Sequence, residues 1–187
     1  MLGNDIIDRE LAAQQSNWRR KNYLAKIFTA AEQLEIKRAD EPDLVVWLLW
    51  SMKEAAYKIV NRDTGIRFFK PQALVCNFKI GPGLATGTVI YQQKVFATTT
   101  EIKAGFIHSL ALGDGLTFAD VEVIYGANQA GYLPKFNLEN PTIRLQKDSQ
   151  LLPEIYHHER KITTMATISH HGSRLCVAFF KNLRLPI

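Results

Sequence analysis

An α+β domain is the fold class that this sequence predicts, on three observations. As far as about residue 61 the chain carries helical periodicity. Beyond Arg62 it turns to short β-branched and aromatic runs separated by Gly, Pro and Asp. Between the two lies a stretch that is apolar over most of a helix's circumference, which must be buried on another element. Helices first and strands afterwards place that long helix against an antiparallel sheet.

Residues 2–7 are short and apolar with Asp5 interrupting them, which predicts a first strand ending in a functional acid. Residues 8 to about 26 are mostly helical in pattern, with Leu11, Trp18 and Tyr23 among polar neighbours. Thr29 with Glu32 three positions later predicts a capping box, opening a helix that runs to about Arg38. Residues 44–61 give the strongest helix, in which Leu48, Met52, Ala55 and Ile59 form an apolar stripe widened by Val45, Leu49 and Ala56. Short strands are then predicted at 73–78, 87–91, 94–98, 105–112, 121–125, 142–145, 162–168 and 174–180. Residues 129–141 hold Gly131, Pro134 and Pro141 and are expected to be a loop or excursion.

The 187 residues fit one domain, or two small ones, and suffice to bury a core, and 47% hydrophobic with 22% charged residues argues against disorder. No apolar run reaches membrane-spanning length, since the longest, 44–50, is bounded by Asp43 and Lys53. The first residues show no basic region before an apolar core, so no signal peptide is expected. Cys76 and Cys176 each lie in an apolar strand-like run, which favours buried free thiols and a cytoplasmic protein over a single disulfide. A net charge of +5 is too modest to indicate nucleic acid, and suits an acidic protein partner or a phosphorylated small molecule equally well.

The chemistry concentrates on the long helix. Trp47, Ser51, Glu54 and Lys58 share one face of it, and a polar stripe on an otherwise greasy helix needs something to satisfy it. Were Asp5 brought to Glu54, the two carboxylates would make a hard-cation site beside a cationic phosphate clamp, as chemistry on a diphosphate requires. The plain alternative is a surface Glu54–Lys58 pair worth about 0.2–0.5 kcal/mol, with Asp5 a turn or cap residue. The apolar surroundings of both acids weigh against it. Near the end of the chain, Ser169-His170-His171-Gly172 at a strand end offers donors to an anion. Successive side chains diverge on a strand, which argues against a metal shared by the two histidines. Ser169 beside His170 is not a nucleophile elbow either. His157-His158-Glu159-Arg160 reads as a solvated turn, and His108 as a partly buried strand histidine.

Together these pieces resemble a known family. Gly3-Asn4-Asp5-Ile6-Ile7 is similar to its Gly-Ile/Val-Asp strand motif, and Trp50-Ser51-Met52-Lys53-Glu54-Ala55-Ala56-Tyr57-Lys58 to its (Phe/Trp)-(Ser/Ala/Cys)-x-Lys-Glu-(Ala/Ser)-x-x-Lys helix. Ile168-Ser169-His170 followed by Val177-Ala178-Phe179 resembles its Ser-x-Ser-His strand and the strand after it. The family is the 4′-phosphopantetheinyl transferases, and within it the holo-[acyl-carrier-protein] synthase type. The first two motifs together are highly specific. The resemblance covers residues 1–70 well, 140–180 less well, and the region between them poorly. One domain over 1–187 is therefore expected, with a strand-rich insertion at about 72–139.

The resemblance implies transfer of 4′-phosphopantetheine from coenzyme A to a serine of an acyl or peptidyl carrier protein, with release of 3′,5′-ADP, in fatty-acid, polyketide or peptide synthesis. It implies Mg²⁺ held by Asp5 and Glu54, Lys58 on phosphate with Lys53 assisting at the diphosphate, and Glu54 as acceptor of the serine proton. His170, with Ser169 as a further donor, would contact a coenzyme A phosphate. Arg9, Arg19, Arg20, Lys21 and Lys26 make the first helical region basic, which suits an acidic carrier protein; the bland reading is a solvated face. Minimal synthases build their sites between subunits of a trimer, so a homo-oligomer is among the expectations.

The chain departs from the family in places. Asn4 stands where a β-branched residue is usual and is expected near the metal. Ile7 stands where longer members place a third acidic ligand, while Asp8 would face away from Asp5 if the strand continues. Two other classes compete. One is a non-catalytic coenzyme A or carrier-protein binding module of the same fold, disfavoured by Asp5, Glu54 and Lys58 occurring together. The other is a metal-dependent phosphohydrolase, which would want more clustered acids or histidines.

Overall fold

The structure is a computed structural model that describes residues 1–68, 70–157, 160–163 and 165–181. Its order is β1 (Leu2–Asp8), α1 (Arg9–Gln15), α2 (Tyr23–Ile27), α3 (Ala30–Arg38), α4 (Pro42–Thr64), β2 (Leu74–Gly81), β3 (Leu84–Tyr91), β4 (Lys94–Ile102), β5 (Phe106–Leu112) and β6 (Val121–Ala127). Then follow α5 (Tyr132–Glu139), β7 (Arg144–Lys147), β8 (Pro153–His157), β9 (Arg160–Thr163), β10 (Thr167–His171) and β11 (Arg174–Phe180). The α+β class is as expected, with the long helix packed on an antiparallel sheet and an enlarged strand region.

Helix α4 starts at Pro42, whose missing N–H costs nothing at that position, and stops at Gly65, whose φ of 68° only glycine adopts without strain. Buried residues on every side of it, from Leu44 to Val60, make it the centre of the main core. It lies on a five-stranded antiparallel sheet of order β1-β5-β4-β3-β2, and the middle strands therefore build the main sheet itself. Two three-stranded sheets, β10-β11-β6 and β7-β8-β9, complete the fold.

Strand β1 lies between two layers, and its period of two divides its side chains between them. Gly3 faces α4 so closely that a Cβ there would stand 2.0 Å from the Ala55 carbonyl oxygen. Leu2, on the other face, joins Leu112, Val121, Ala178 and Phe180 in a second core. As the edge strand, β1 also holds backbone groups not shared with β5. The Asn4 carbonyl accepts from Lys58 Nζ at 2.6 Å, and the Asp8 N–H donates to His171 Nδ1 at 3.0 Å.

Some elements differ from expectation. The first strand does not end at its acid; Asp5 lies in the middle of it, paired with Ser109 of β5. Asp8 ends β1 as the N-cap of α1, its carboxylate accepting from the Leu11 N–H at 3.1 Å. The helical pattern of 8–26 breaks into two short helices, because Ser16 and Asn17 turn the chain and Trp18 Nε1 is drawn to Asp43 at 2.8 Å. Within 129–141 the chain forms α5, tolerating Pro134 in its first turn and burying Phe136 against Leu145, Ile155, Val177 and Phe179. The strand expected at 162–168 divides between β9 and β10, and β8 was not foreseen. The turn expected at 157–160 falls on residues 158 and 159, which lie outside the described residues. The capping box at Thr29 and Glu32 is present as expected, as are the two buried free cysteines, Cys76 and Cys176.

Candidate active site

The site forms where the inner face of β1 meets the polar stripe of α4. Asp5 reaches toward the helix, and Lys58 Nζ lies 3.6 Å from its Oδ1 while donating to the Asn4 carbonyl. The same ammonium reaches the Ile168 carbonyl of β10 at 3.4 Å, so Lys58 ties both layers together at this point. Ser51, one turn before Ala55 on α4, donates to the Asp5 carbonyl at 3.1 Å and fixes strand against helix.

Burial raises the Asp5 carboxyl to about 7. The Glu54 charge pushes the same way, while Lys58 and Ser51 oppose the rise. Burial also raises Glu54, again against Lys58. Two carboxyls, each desolvated and with Glu54 repelling charge on Asp5, are both favoured in ionised form by a cation between them. Among the described residues no group of three or more His, Cys, Asp or Glu side chains could hold a metal. The donors here are two hard carboxylates, a set that fits an ion keeping several waters and substrate oxygens in its shell.

Three hollows are lined in part by these residues. One of about 250 Å³ is lined by Lys58, Arg62, Tyr132, Lys147 and His170, with no carboxylate among the described residues of its wall. A second, about 230 Å³, joins Asp5 to Tyr23, Trp47, Trp50, His170 and His171. A third, about 390 Å³, lies beside Glu54 and Tyr57 with Arg67 and Lys70. His170 is exposed and lines both of the first two.

Other residues stand elsewhere than expected. Lys53 is turned inward and fully buried, donating to Glu32 Oε1 at 2.9 Å, to the Pro71 carbonyl at 3.0 Å and to the Leu74 carbonyl. Its ammonium is committed to joining α3, α4 and β2, which replaces the expected place at a diphosphate. Strand alternation turns Ser169 away from His170; its hydroxyl is buried, with no partner among the described residues, and so is not offered to a ligand beside His170. Asn4 points away from Asp5, donating from Nδ2 to the Cys176 sulfur at 3.2 Å and accepting at Oδ1 from the Thr167 hydroxyl at 3.1 Å. Arg19 lies against Asp43 at 2.7 Å, Arg9 is 3.8 Å from Glu41, and Arg20 stacks on Tyr23 at 5.0 Å. The basic patch therefore loses Arg19 to a local ion pair and retains Arg20, Lys21 and Lys26.

The sequence reading missed Arg62, Tyr132 and Lys147. Arg62 is four residues beyond Lys58, so helical spacing alone could have placed it on the same face. No local signal marks Tyr132 and Lys147, which only the packing of α5 and β7 brings to the cleft.

Asp5, Glu54 and Lys58 thus lie on an edge strand and a long helix of an α+β fold. Residues 1–94 match the model of the 4′-phosphopantetheinyl transferase superfamily, and the chain belongs to that superfamily. Membership carries the family's general activity, phosphopantetheinyl transfer, with coenzyme A and carrier proteins as its typical partners. Among solved structures the chain is similar to the holo-[acyl-carrier-protein] synthase of Thermotoga maritima, at 11% identity and a TM-score of 0.43, over 86% of this chain and 83% of that one. No curated protein matches it. Among the described residues no helix is long and apolar enough to cross a membrane.

Proposed function

We propose that the chain, as one domain, transfers 4′-phosphopantetheine from coenzyme A to a serine of an acyl or peptidyl carrier protein and releases 3′,5′-ADP. The observation that carries this reading is the meeting of Asp5, Glu54 and Lys58 across β1 and α4. Asp5 and Glu54 are the carboxylates that would hold Mg²⁺, which supplies charge neutralisation on the diphosphate when bound. Lys58 binds a non-bridging phosphate oxygen and is held for it by the Asn4 and Ile168 carbonyls. His170 binds phosphate at the mouth of the cleft.

In the reaction the serine oxygen forms a bond to the pantetheine-bearing phosphorus, and the bond from that phosphorus to the bridging oxygen breaks. The bridging oxygen leaves with 3′,5′-ADP. Glu54 takes the serine proton, directly or through water. An acidic carrier helix docks on Arg20, Lys21 and Lys26, where opposed charge steers encounter. The two buried free thiols fit a reducing compartment such as the cytoplasm.

Incubation with apo-carrier protein, coenzyme A and Mg²⁺ followed by mass spectrometry tests this reading. The expected outcome is a phosphopantetheine-sized gain on the carrier that chelator abolishes. No gain across a panel of fatty-acid, polyketide and peptide carriers would leave the non-catalytic binding module as the better account.

A further inference from the structure

We propose that Asn4 and Thr167 are positioning residues for Lys58, and that the hydrogen bond between their side chains sets the gap in which its ammonium sits. This rests on the transfer reading above and adds to it what keeps the phosphate-binding lysine in place. Lys58 Nζ donates to two carbonyls, that of Asn4 on β1 at 2.6 Å and that of Ile168 on β10 at 3.4 Å. The two strands belong to different sheets, so neither ladder fixes the distance between these acceptors. A side-chain bond spans it instead. The hydroxyl of Thr167, the residue before Ile168, donates to Asn4 Oδ1 at 3.1 Å.

The link is buried and directional. Asn4 is fully enclosed, and Thr167 is only 3% exposed. The Asn4 amide nitrogen donates to the Cys176 sulfur at 3.2 Å and lies 3.4 Å from the Cys176 carbonyl. A carbonyl can only accept, so Nδ2 must face β11, and Oδ1 is left to face Thr167 on β10. One residue thereby grips three partners. Its side chain ties β1 to β10 and β11, while its own carbonyl holds Lys58.

Leu2, packed with Leu110, Leu112, Val121, Ala178 and Phe180, already presses these layers together. Apolar contact of that kind is non-directional, whereas a satisfied buried polar link selects one spacing. The position of Lys58 depends on that spacing. Its stem is flexible, and the two carbonyls, one from each layer, aim the ammonium beside Asp5 and into the cleft. Without the Thr167 hydroxyl, β10 is free to shift against β1, and the Ile168 carbonyl shifts with it.

Nitrogen-15 NMR of the Lys58 ammonium in the ligand-free protein tests this without turnover, with Lys58→Met supplying the assignment. A held ammonium exchanges its protons slowly and gives a resolved signal. That signal is expected in the wild type and in Thr167→Ser, which keeps the hydroxyl, and is expected to vanish in the near-isosteric Thr167→Val. Should Thr167→Val fail to fold, Asn4→Leu combined with it removes both partners and leaves no buried Oδ1 unpaired. No signal in the wild type, its survival without the hydroxyl, or its loss in Thr167→Ser would each overturn the positioning role. Coenzyme A and an apo-carrier are then supplied. Thr167→Val is expected to raise the KM for coenzyme A roughly 10-fold with kcat little changed, and to add nothing in a Lys58→Met background. A protected ammonium in a protein that transfers nothing would keep the positioning role and remove the transfer reading. Transfer by Thr167→Val at the wild-type KM would remove the positioning role and keep the transfer reading.

Discussion

At the scale of single residues the fold commits three side chains of one helix to different tasks. Lys58 lies 3.6 Å from Asp5 and the Glu54 charge acts on that carboxyl, whereas Lys53, beside Glu54 in sequence, is locked to Glu32 in the interior. Asp5→Ala or Glu54→Ala is expected to lower Mg²⁺-dependent transfer at least about 100-fold while circular dichroism and melting stay close to wild type. Lys58→Ala should chiefly raise the KM for coenzyme A; an unchanged KM with a collapsed kcat would remove its phosphate role. The identity of these residues was legible because helical spacing alone puts Glu54 and Lys58 on one face. The fate of Lys53 was not, because its partner Glu32 lies on another helix and nothing local in the sequence announces the pairing. The same holds for Ser169 and His170: both were chosen for their donors, but alternation along β10 sends them to opposite sides.

At the scale of elements, the Glu32 carboxylate acts as a junction. It accepts from Lys53, from the Cys76 N–H at 2.8 Å and from the Thr29 N–H at 2.8 Å, so one group joins α3, α4 and β2. Lys53→Met should cost about 3–5 kcal/mol in urea unfolding because it strands a buried carboxylate, and adding Glu32→Gln should recover part of the loss. Full additivity of the two substitutions would show that the pair is not coupled. Gly3→Ala tests the contact of β1 with α4, where a Cβ would meet the Ala55 carbonyl backbone that cannot turn aside. We expect a loss of about 1–3 kcal/mol together with weaker transfer, since Asp5 moves with its strand. Helices α3 and α4 were legible from a capping box and a 3.6-residue period. Helix α5 was hidden by Pro134 and Gly131, which mark a break in sequence but here sit at a helix start.

At the scale of the whole molecule, a chain of hydrogen bonds, buried at Asn4, Cys176 and His108 and exposed at Tyr125, crosses between the layers. Asn4 donates to the Cys176 sulfur, which lies 3.1 Å from His108 Nε2; His108 Nδ1 is 2.9 Å from the Tyr125 oxygen, and Tyr125 donates to Glu101 at 2.7 Å. Because ionised Glu101 can only accept, the donors run one way, with the His108 proton on Nδ1. Burial, reinforced by the Lys58 charge and opposed by Glu101, lowers His108 from 6.5 to about 4. The unfolded chain therefore binds a proton first as pH falls. This contribution is complete above pH 6.5 and is lost as pH drops through 4, amounting to roughly 3 kcal/mol. Unfolding measured from pH 7 to 4 should show this slope in the wild type and a flatter one in His108→Gln; equal slopes would remove His108 as the cause. Reading His108 as a partly buried strand histidine came close, but its place in a network joining β1, β5, β6 and β11 depends on contacts that no single stretch of sequence contains.

The edge position of β1 has a consequence for how variants at residue 58 behave in solution. An edge strand with free carbonyls and amides is a template for a neighbouring molecule's strand, and here those groups are occupied by Lys58 and His171. Removing the Lys58 ammonium leaves the carbonyl of the fully buried Asn4 without that donor inside the fold. A Lys58 variant thus loses a tie between β1 and β10 as well as its proposed phosphate contact, and its turnover is meaningful only once melting shows it to be as stable as the parent.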